Sequence, residues 1–320
     1  MLSNKDKYRK LCETETTIPL YSQDWWLDCV CSKEKWDVLL FETQGSIEAT
    51  MPFYMPHKGI ITMPNFSQSM GIWFNPAYEN NNYSKNLFRK QQICEYFIKK
   101  LPKHKVFLQN FNYTFKDWLP FYWHKYQQFT LYNYILPDIS DKNLLWKNFN
   151  DNIKRNIIKA EKKYNLNIRS NVPIDLFSEI VLKTYKRQEK KPYCMDLMRK
   201  IIEEARRLKK GDVFGAYDDE NQLHAAVFIV LSNNCAYYIA GGGNTELRHS
   251  GGHAFAVWKV ISELHDEIKL FSFEGSMVKG IEHFFRSFGA IQMPYFSISK
   301  GKKNIFQKVI LLIKSYLSKH

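Results

Sequence analysis

Two stretches of the chain read as β-hairpins, each a β-forming apolar run, a polar turn and a second such run. The first runs over Asp37–Glu42, turns at Gln44-Gly45 and returns as Ile47–Tyr54; the second runs over Asp212–Tyr217, turns at Asp218–Asn221 and returns as Leu223–Val230. A helical candidate precedes each, around Asp24–Cys31 and around Met195–Lys209. In the latter, Leu197, Ile201, Ile202, Ala205 and Leu208 recur at helical spacing. A helix feeding a hairpin twice in one chain points to duplication. Between the hairpins, Asp141–Tyr164 is expected to be one long basic helix. Leu144, Leu145, Phe149, Ile153, Ile157 and Ala160 form its apolar stripe, and Lys154, Arg155, Lys159, Lys162 and Lys163 lie on its wet side. The linker between halves is expected near Leu136-Pro137-Asp138.

Beyond the second hairpin, Cys235–Ala240 predicts a strand, and Gly241-Gly242-Gly243-Asn244 is expected to be a loop. A helix follows from about Ser250 to Leu264, then a strand over Ile268–Phe273 that closes on Glu274-Gly275-Ser276. At the end of the chain, residues 302–319 place Ile305, Phe306, Val309, Ile310, Leu312, Ile313, Tyr316 and Leu317 on one side of a helical wheel with lysines opposite. This tail either packs on the domain or forms a peripheral contact with an anionic membrane.

Composition narrows the class. The 320 residues suffice for two domains, and 45% hydrophobic with 16% aromatic content supplies core material, which excludes disorder. No apolar run approaches the ~18 residues of a membrane span, and no secretory signal is seen, so a cytoplasmic protein is expected, possibly peripheral at the inner membrane face. The six cysteines form no C-x-x-C pair, and neither a disulfide framework nor a metal site is expected. The net charge of +14, from 46 basic and 32 acidic side chains, favours an anionic partner without naming one.

A Gly-rich bend between strand and helix can turn backbone N–H groups toward a phosphate, with help from the helix dipole. Here it reads Arg248-His249-Ser250-Gly251-Gly252-His253. It resembles the acyl-CoA pyrophosphate motif of GNAT enzymes (Arg or Gln, two residues, Gly, any residue, Gly or Ala), with His253 departing at the last position. The run Phe273–Glu282, continued by Phe284-Phe285-Arg286-Ser287-Phe288-Gly289-Ala290, resembles the C-terminal signature of FemAB-like GNAT proteins. Trp146, Arg155, Ile158, Lys159 and Ala160 match that family's helix. Met63–Trp73, with Gln68, is similar to its Pro-x-Phe-x-Gln-x-x-Gly segment.

This resemblance implies an α/β (α+β) chain of two GNAT-like lobes in tandem, each a mostly antiparallel twisted sheet flanked by helices. The divisions expected are 1–137, 138–300 and a tail at 301–320. It implies an N-acyltransferase with acyl-CoA as donor and an amine acceptor, either a small molecule such as a sugar or nucleotide-sugar or a lipid-linked cell-envelope precursor. One alternative is an aminoacyl-tRNA-dependent peptidyltransferase acting on a peptidoglycan precursor, with tRNA as donor carrier. Another is a GNAT-fold binding protein without catalysis. Amide formation needs a group to take the amine's proton and one to stabilise or protonate what leaves. Glu274 and Tyr295 are the catalytic candidates. Arg248, His249, Ser250, Gly251 and Gly252 are the donor-binding candidates, and Gln68, Arg155, Lys159 and Arg286 the acceptor-binding ones; no metal ligand is proposed.

Overall fold

The computed structural model describes residues 2–187 and 194–301. The tail at 302–320, with its expected amphipathic helix, lies outside the described residues. The chain forms two compact units, which among the described residues are 2–131 with 294–301, and 132–293.

Along the chain come α1 (Asn4–Thr14), α2 (Asp24–Val30), β1 (Trp36–Thr43), β2 (Ser46–His57), β3 (Ile60–Thr62), β4 (Trp73–Phe74), α3 (Tyr83–Lys100), β5 (Val106–Asn110), α4 (Leu119–Trp123) and β6 (Gln127–Leu136). Then follow α5 (Lys142–Asn148), α6 (Asp151–Lys162), β7 (Asn167–Arg169), α7 (Ile174–Arg187), α8 (Met195–Arg207), β8 (Gly211–Tyr217), β9 (Leu223–Ser232) and β10 (Cys235–Gly243). The last elements are α9 (Gly252–Glu263), β11 (Leu270–Ser272), α10 (Lys279–Arg286) and β12 (Ile291–Gly301).

In the first unit the sheet order is β1-β2-β3-β5-β12, with β4 on β2. Strands β1 and β2 make the expected hairpin, and its turn closes because Gln44 and Gly45 both take positive φ. Strand β2 pairs antiparallel with β3, and β3 pairs parallel with β5 after the crossover containing α3. The apolar faces of these elements bury Met51, Phe97, Phe107, Phe111 and Phe121.

The second unit repeats the sequence of events. Strands β8 and β9 form a hairpin, β9 pairs antiparallel with β10, and β10 pairs parallel with β11 after the crossover containing α9. Its order is β6-β11-β10-β9-β8-β7. The duplication expected from the two hairpins therefore extends to the third strand, the crossover helix and the parallel partner.

The expected division differs from the observed one in its last strands. Residues 294–301, expected in the second lobe, pair antiparallel with β5 of the first unit, Ser297 opposite Asn110. Residues 132–136, expected in the first lobe, belong to the second unit, where Ile135 and Leu136 pair with Ser272 and Phe271 of β11. Each unit thus takes one strand segment from the other half of the chain.

Two further expectations are corrected. The long basic helix is two helices, α5 and α6, with Phe149 and Asn150 extended between them. Phe149 turns inward, 3% exposed, and packs edge-on against Trp258 and Phe288. The Asn150 amide donates to the Ser287 carbonyl at 2.9 Å, so tertiary bonding replaces helical bonding at the break.

Gly241-Gly242-Gly243 is no loop. These glycines continue β10 and pair with Val227, Ala226 and Ala225 of β9. The physical reason is close approach: a Cβ on Gly242 would collide with the Thr184 hydroxyl of α7. Glycine here admits a helix onto the sheet rather than bending the chain.

Candidate functional site

Strands β10 and β11 run side by side for three pairs only, Cys235–Leu270, Ala236–Phe271 and Tyr237–Ser272. At the next position β10 carries a bulge against β9, between Tyr238 and Ala240, and β11 ends. A bulge re-aims a strand and ends its pairing on one side. Glu274 sits two residues past the end of β11, at this parting.

Glu274 has φ of +62°, a conformation that a carboxylate-bearing residue seldom adopts. Three hydrogen bonds hold it there. The Tyr134 amide donates to the Glu274 carbonyl at 3.1 Å, the Glu274 amide donates to the Ser272 hydroxyl at 3.3 Å, and that hydroxyl donates to Glu274 Oε1 at 2.9 Å. Asn133 Nδ2 in turn donates to Ser272 Oγ at 3.2 Å. Ser272 and Asn133 are 1% and 5% exposed, so the chain Asn133–Ser272–Glu274 is a buried arm ending on a half-buried carboxylate. Its charge reaches Cys235, whose thiol is pushed far up first by burial and then by Glu274. Cys94 is likewise pushed up, chiefly by burial, so neither of these thiols is poised as a thiolate nucleophile. Asn133 and Ser272 escaped the sequence reading, since each is a polar residue in an apolar strand and has meaning only once β6 and β11 are paired.

Aromatic side chains bridge the parted strands. Tyr238 of β10 and Phe273 after β11 both pack on Phe285 of α10, with ring centres 6.0 and 5.1 Å apart. Tyr238 Oη lies 3.0 Å from His253 Nε2, and the His253 ring stacks on Phe284 at 4.7 Å. His253, the departing last residue of the motif, lies in the first turn of α9, engaged on both its edge and its face.

The bend before α9 is also differently built from the open cradle expected. Residues 248–250 form a short 3-10 turn, and Gly251 takes φ of +82°. A Cβ at Gly251 would collide with the backbone carbonyl of Asn156 on α6. Ser250 is fully buried, and its hydroxyl accepts the Gly252 amide at 3.2 Å. The bend therefore packs closely on α6, with the Gly252 amide engaged by Ser250. Arg248 and His249 remain exposed, and the His249 ring meets Tyr164 edge-on at 5.4 Å.

Among the other candidates, Arg155 is exposed and Lys159 half-buried on α6, in the same unit as Glu274. Arg286, expected to bind acceptor, makes an ion pair with Glu282 one turn earlier, Nε to Oε1 at 2.7 Å. Gln68 lies in the first unit, where its backbone carbonyl accepts from Asn110 Nδ2 at 3.0 Å. Tyr295 belongs to the first unit and is 5% exposed, whereas Glu274 belongs to the second. No cluster of metal-binding side chains occurs among the described residues.

Residues 147–286 match the family described as an acetyltransferase (GNAT) domain. The fold is similar to that of FemX, at 10% identity and a TM-score of 0.70, with 92% of this chain and 96% of that one covered. It is also similar to L-PGS from Bacillus licheniformis, at 9% identity and TM-score 0.56, covering 100% and 99% of the two chains. A third likeness is the C-terminal domain of a putative lysylphosphatidylglycerol synthetase from Agrobacterium fabrum, at 11% identity and TM-score 0.53, covering 86% and 87%. No curated protein matches by sequence. The match to the acetyltransferase (GNAT) domain thus spans residues 147–286, and over most of the chain the likeness to these structures is one of fold.

Proposed function

We propose that this protein transfers an aminoacyl group from an ester on tRNA to an amino group of a cell-envelope precursor. The observation that carries the donor half is the close packing of the bend, where Gly251 lies on the Asn156 carbonyl and the Gly252 amide is already bonded to the Ser250 hydroxyl rather than offered to a pyrophosphate. The ring bridge from Tyr238 to Phe273 adds to it, because a slender thioester arm entering between β10 and β11 would have to displace packed aromatic side chains. An aminoacyl ester needs neither a pyrophosphate cradle nor a deep arm channel. The net charge of +14 suits a polyanionic carrier. The likeness to a putative lysylphosphatidylglycerol synthetase, by its name joining an amino acid to a lipid, supports an envelope acceptor.

Glu274 supplies the chemistry in this reading. The acceptor amine arrives as an ammonium, and the carboxylate takes its proton as the nitrogen attacks the ester carbonyl. The carbon–oxygen bond to the carrier then breaks, and the second proton lost by the attacking nitrogen passes to the departing alkoxide, which leaves as a hydroxyl. The hydrogen bond from Ser272, backed by Asn133, fixes the orientation of the carboxylate toward the amine. Acyl-CoA as donor keeps one observation in its favour, the exposed Arg248 at the bend.

The test supplies charged tRNA or acetyl-CoA with amine-bearing envelope precursors and follows label into the acceptor. Transfer from charged tRNA alone is expected, and Glu274→Gln should lower kcat by about 10²- to 10⁴-fold with the fold intact. Transfer from acetyl-CoA alone would overturn the donor, and full activity in Glu274→Gln would overturn the base.

A further inference from the structure

A cleft of about 580 Å³ opens in the first unit between the end of α3, the approach to β6 and the end of β12. Lys103, Lys105, Lys125 and Lys300 line it, and among the described residues no carboxylate does. Lys300 is fixed rather than free to swing: its Nζ donates to the His124 carbonyl at 2.8 Å and lies 4.6 Å from the Tyr126 ring centre. His104 forms part of the wall, with Nδ1 at 2.8 Å from the Pro102 carbonyl and Nε2 at 3.2 Å from Tyr126 Oη. The site is therefore a concave cationic surface of ammonium groups.

Beside it stands a set of large apolar side chains facing water. In α4, which ends one residue before His124, Leu119, Tyr122 and Trp123 are 44%, 57% and 49% exposed. On β6, Gln127 lines the cleft, and Phe129, two residues on and so on the same strand face, is 54% exposed. Neither a buried core nor a hydrogen-bonded role accounts for four such residues together, and a clustered apolar patch marks an interaction site.

We propose that this face docks on the surface of an anionic phospholipid bilayer. Amphipathic Trp and Tyr rings favour the headgroup level, with Leu and Phe reaching the acyl boundary, while lysines are drawn to acidic headgroups. The arrangement separates the two kinds of contact, with lysines inside the cleft and rings outside it on α4 and β6. A single-stranded nucleic acid site would put the stacking rings in the basic groove itself. The inference is independent of the donor in the transfer reaction and of residues 302–320. It would bring the enzyme to the surface where lipid-linked acceptors reside.

The experiment is flotation of the full-length protein with vesicles of phosphatidylcholine alone and of phosphatidylcholine with phosphatidylglycerol. Binding is expected on the anionic vesicles only. Lys103→Gln with Lys125→Gln should weaken it about 25-fold, at roughly fivefold for each lysine near the surface. Tyr122→Ser with Trp123→Ser should weaken it as well, and circular dichroism should show both exposed double variants folded. Wild-type flotation by both variants would overturn the proposal and move any membrane contact elsewhere in the chain. Equal binding to neutral vesicles would overturn it too. So would release of the protein from anionic vesicles by bulk tRNA that binds through the same lysines and rings.

Discussion

Replacing Gly251 with alanine tests how the bend before α9 is built. The backbone there has φ of +82°, and a methyl group would meet the Asn156 carbonyl, which belongs to the main chain of α6 and cannot rotate away. A left-handed conformation costs a non-glycine residue about 1–2 kcal/mol. Forcing a methyl into a packed contact costs roughly 1–3 kcal/mol more. The sum, about 2–5 kcal/mol, is a large share of the ~5–15 kcal/mol that holds an ordinary domain folded. At about 2–4 °C per kcal/mol for a unit of this size, the second unit should melt some 10 °C lower, as read by scanning calorimetry. Two controls sharpen the reading. Arg248→Ala, at an exposed position three residues away, should change stability by less than about 0.5 kcal/mol. Asn156→Ala keeps the offending carbonyl and should not rescue Gly251→Ala. A Gly251→Ala protein that melts with the wild type would refute the contact, and would return the bend to an open loop able to cradle a pyrophosphate.

Two further outcomes are expected. In the first unit, Arg89 hydrogen-bonds and pairs with Glu48 (Nη2 to Oε2, 2.7 Å), which holds the Glu48 carboxyl below its usual range. Its stabilising effect is present above the unfolded carboxylate value near ~4.3 and is lost as pH falls through the lower folded value; Glu48→Gln should flatten that acid limb of a urea-melting series. Fragment 1–137, cut where the sequence places the linker, should aggregate on expression because β5 loses its partner Ser297–Gly301, whereas appending residues 294–301 should restore soluble protein.

The elements were legible where local chemistry decides them. Alternating burial along β1 and β8 and the turn residues at Gln44-Gly45 and Asp218–Asn221 sufficed for both hairpins. The apolar stripe of α8 buries Met198, Ile201, Ile202 and Ala205, the last three as read from their spacing. What could not be read depends on distant partners. Three consecutive glycines announce a loop unless Thr184 is known to lie against the middle one. A helix over residues 141–164 is broken by Phe149 seeking a core that forms with Trp258 and Phe288, more than a hundred residues later. Glu274 stands out in the sequence as an acidic residue ending a strand, but its positive φ and its buried buttress depend on β6 and are not legible there.

That buttress shows why the strand exchange matters to the site. The match to the acetyltransferase domain begins at residue 147, yet Asn133, which donates to Ser272, precedes it on β6. Tyr134, whose amide holds the Glu274 carbonyl, precedes it too, and its hydroxyl accepts from Gln292, beyond the end of the match at residue 286. Burial pushes the Tyr134 phenol up, and its ring packs on Phe285. The left-handed conformation of Glu274 costs free energy that only such surrounding bonds can offset. The carboxylate is therefore held directly by Ser272 from inside the match, while the bonds from Asn133 and Tyr134 that back it come from the strand preceding the match.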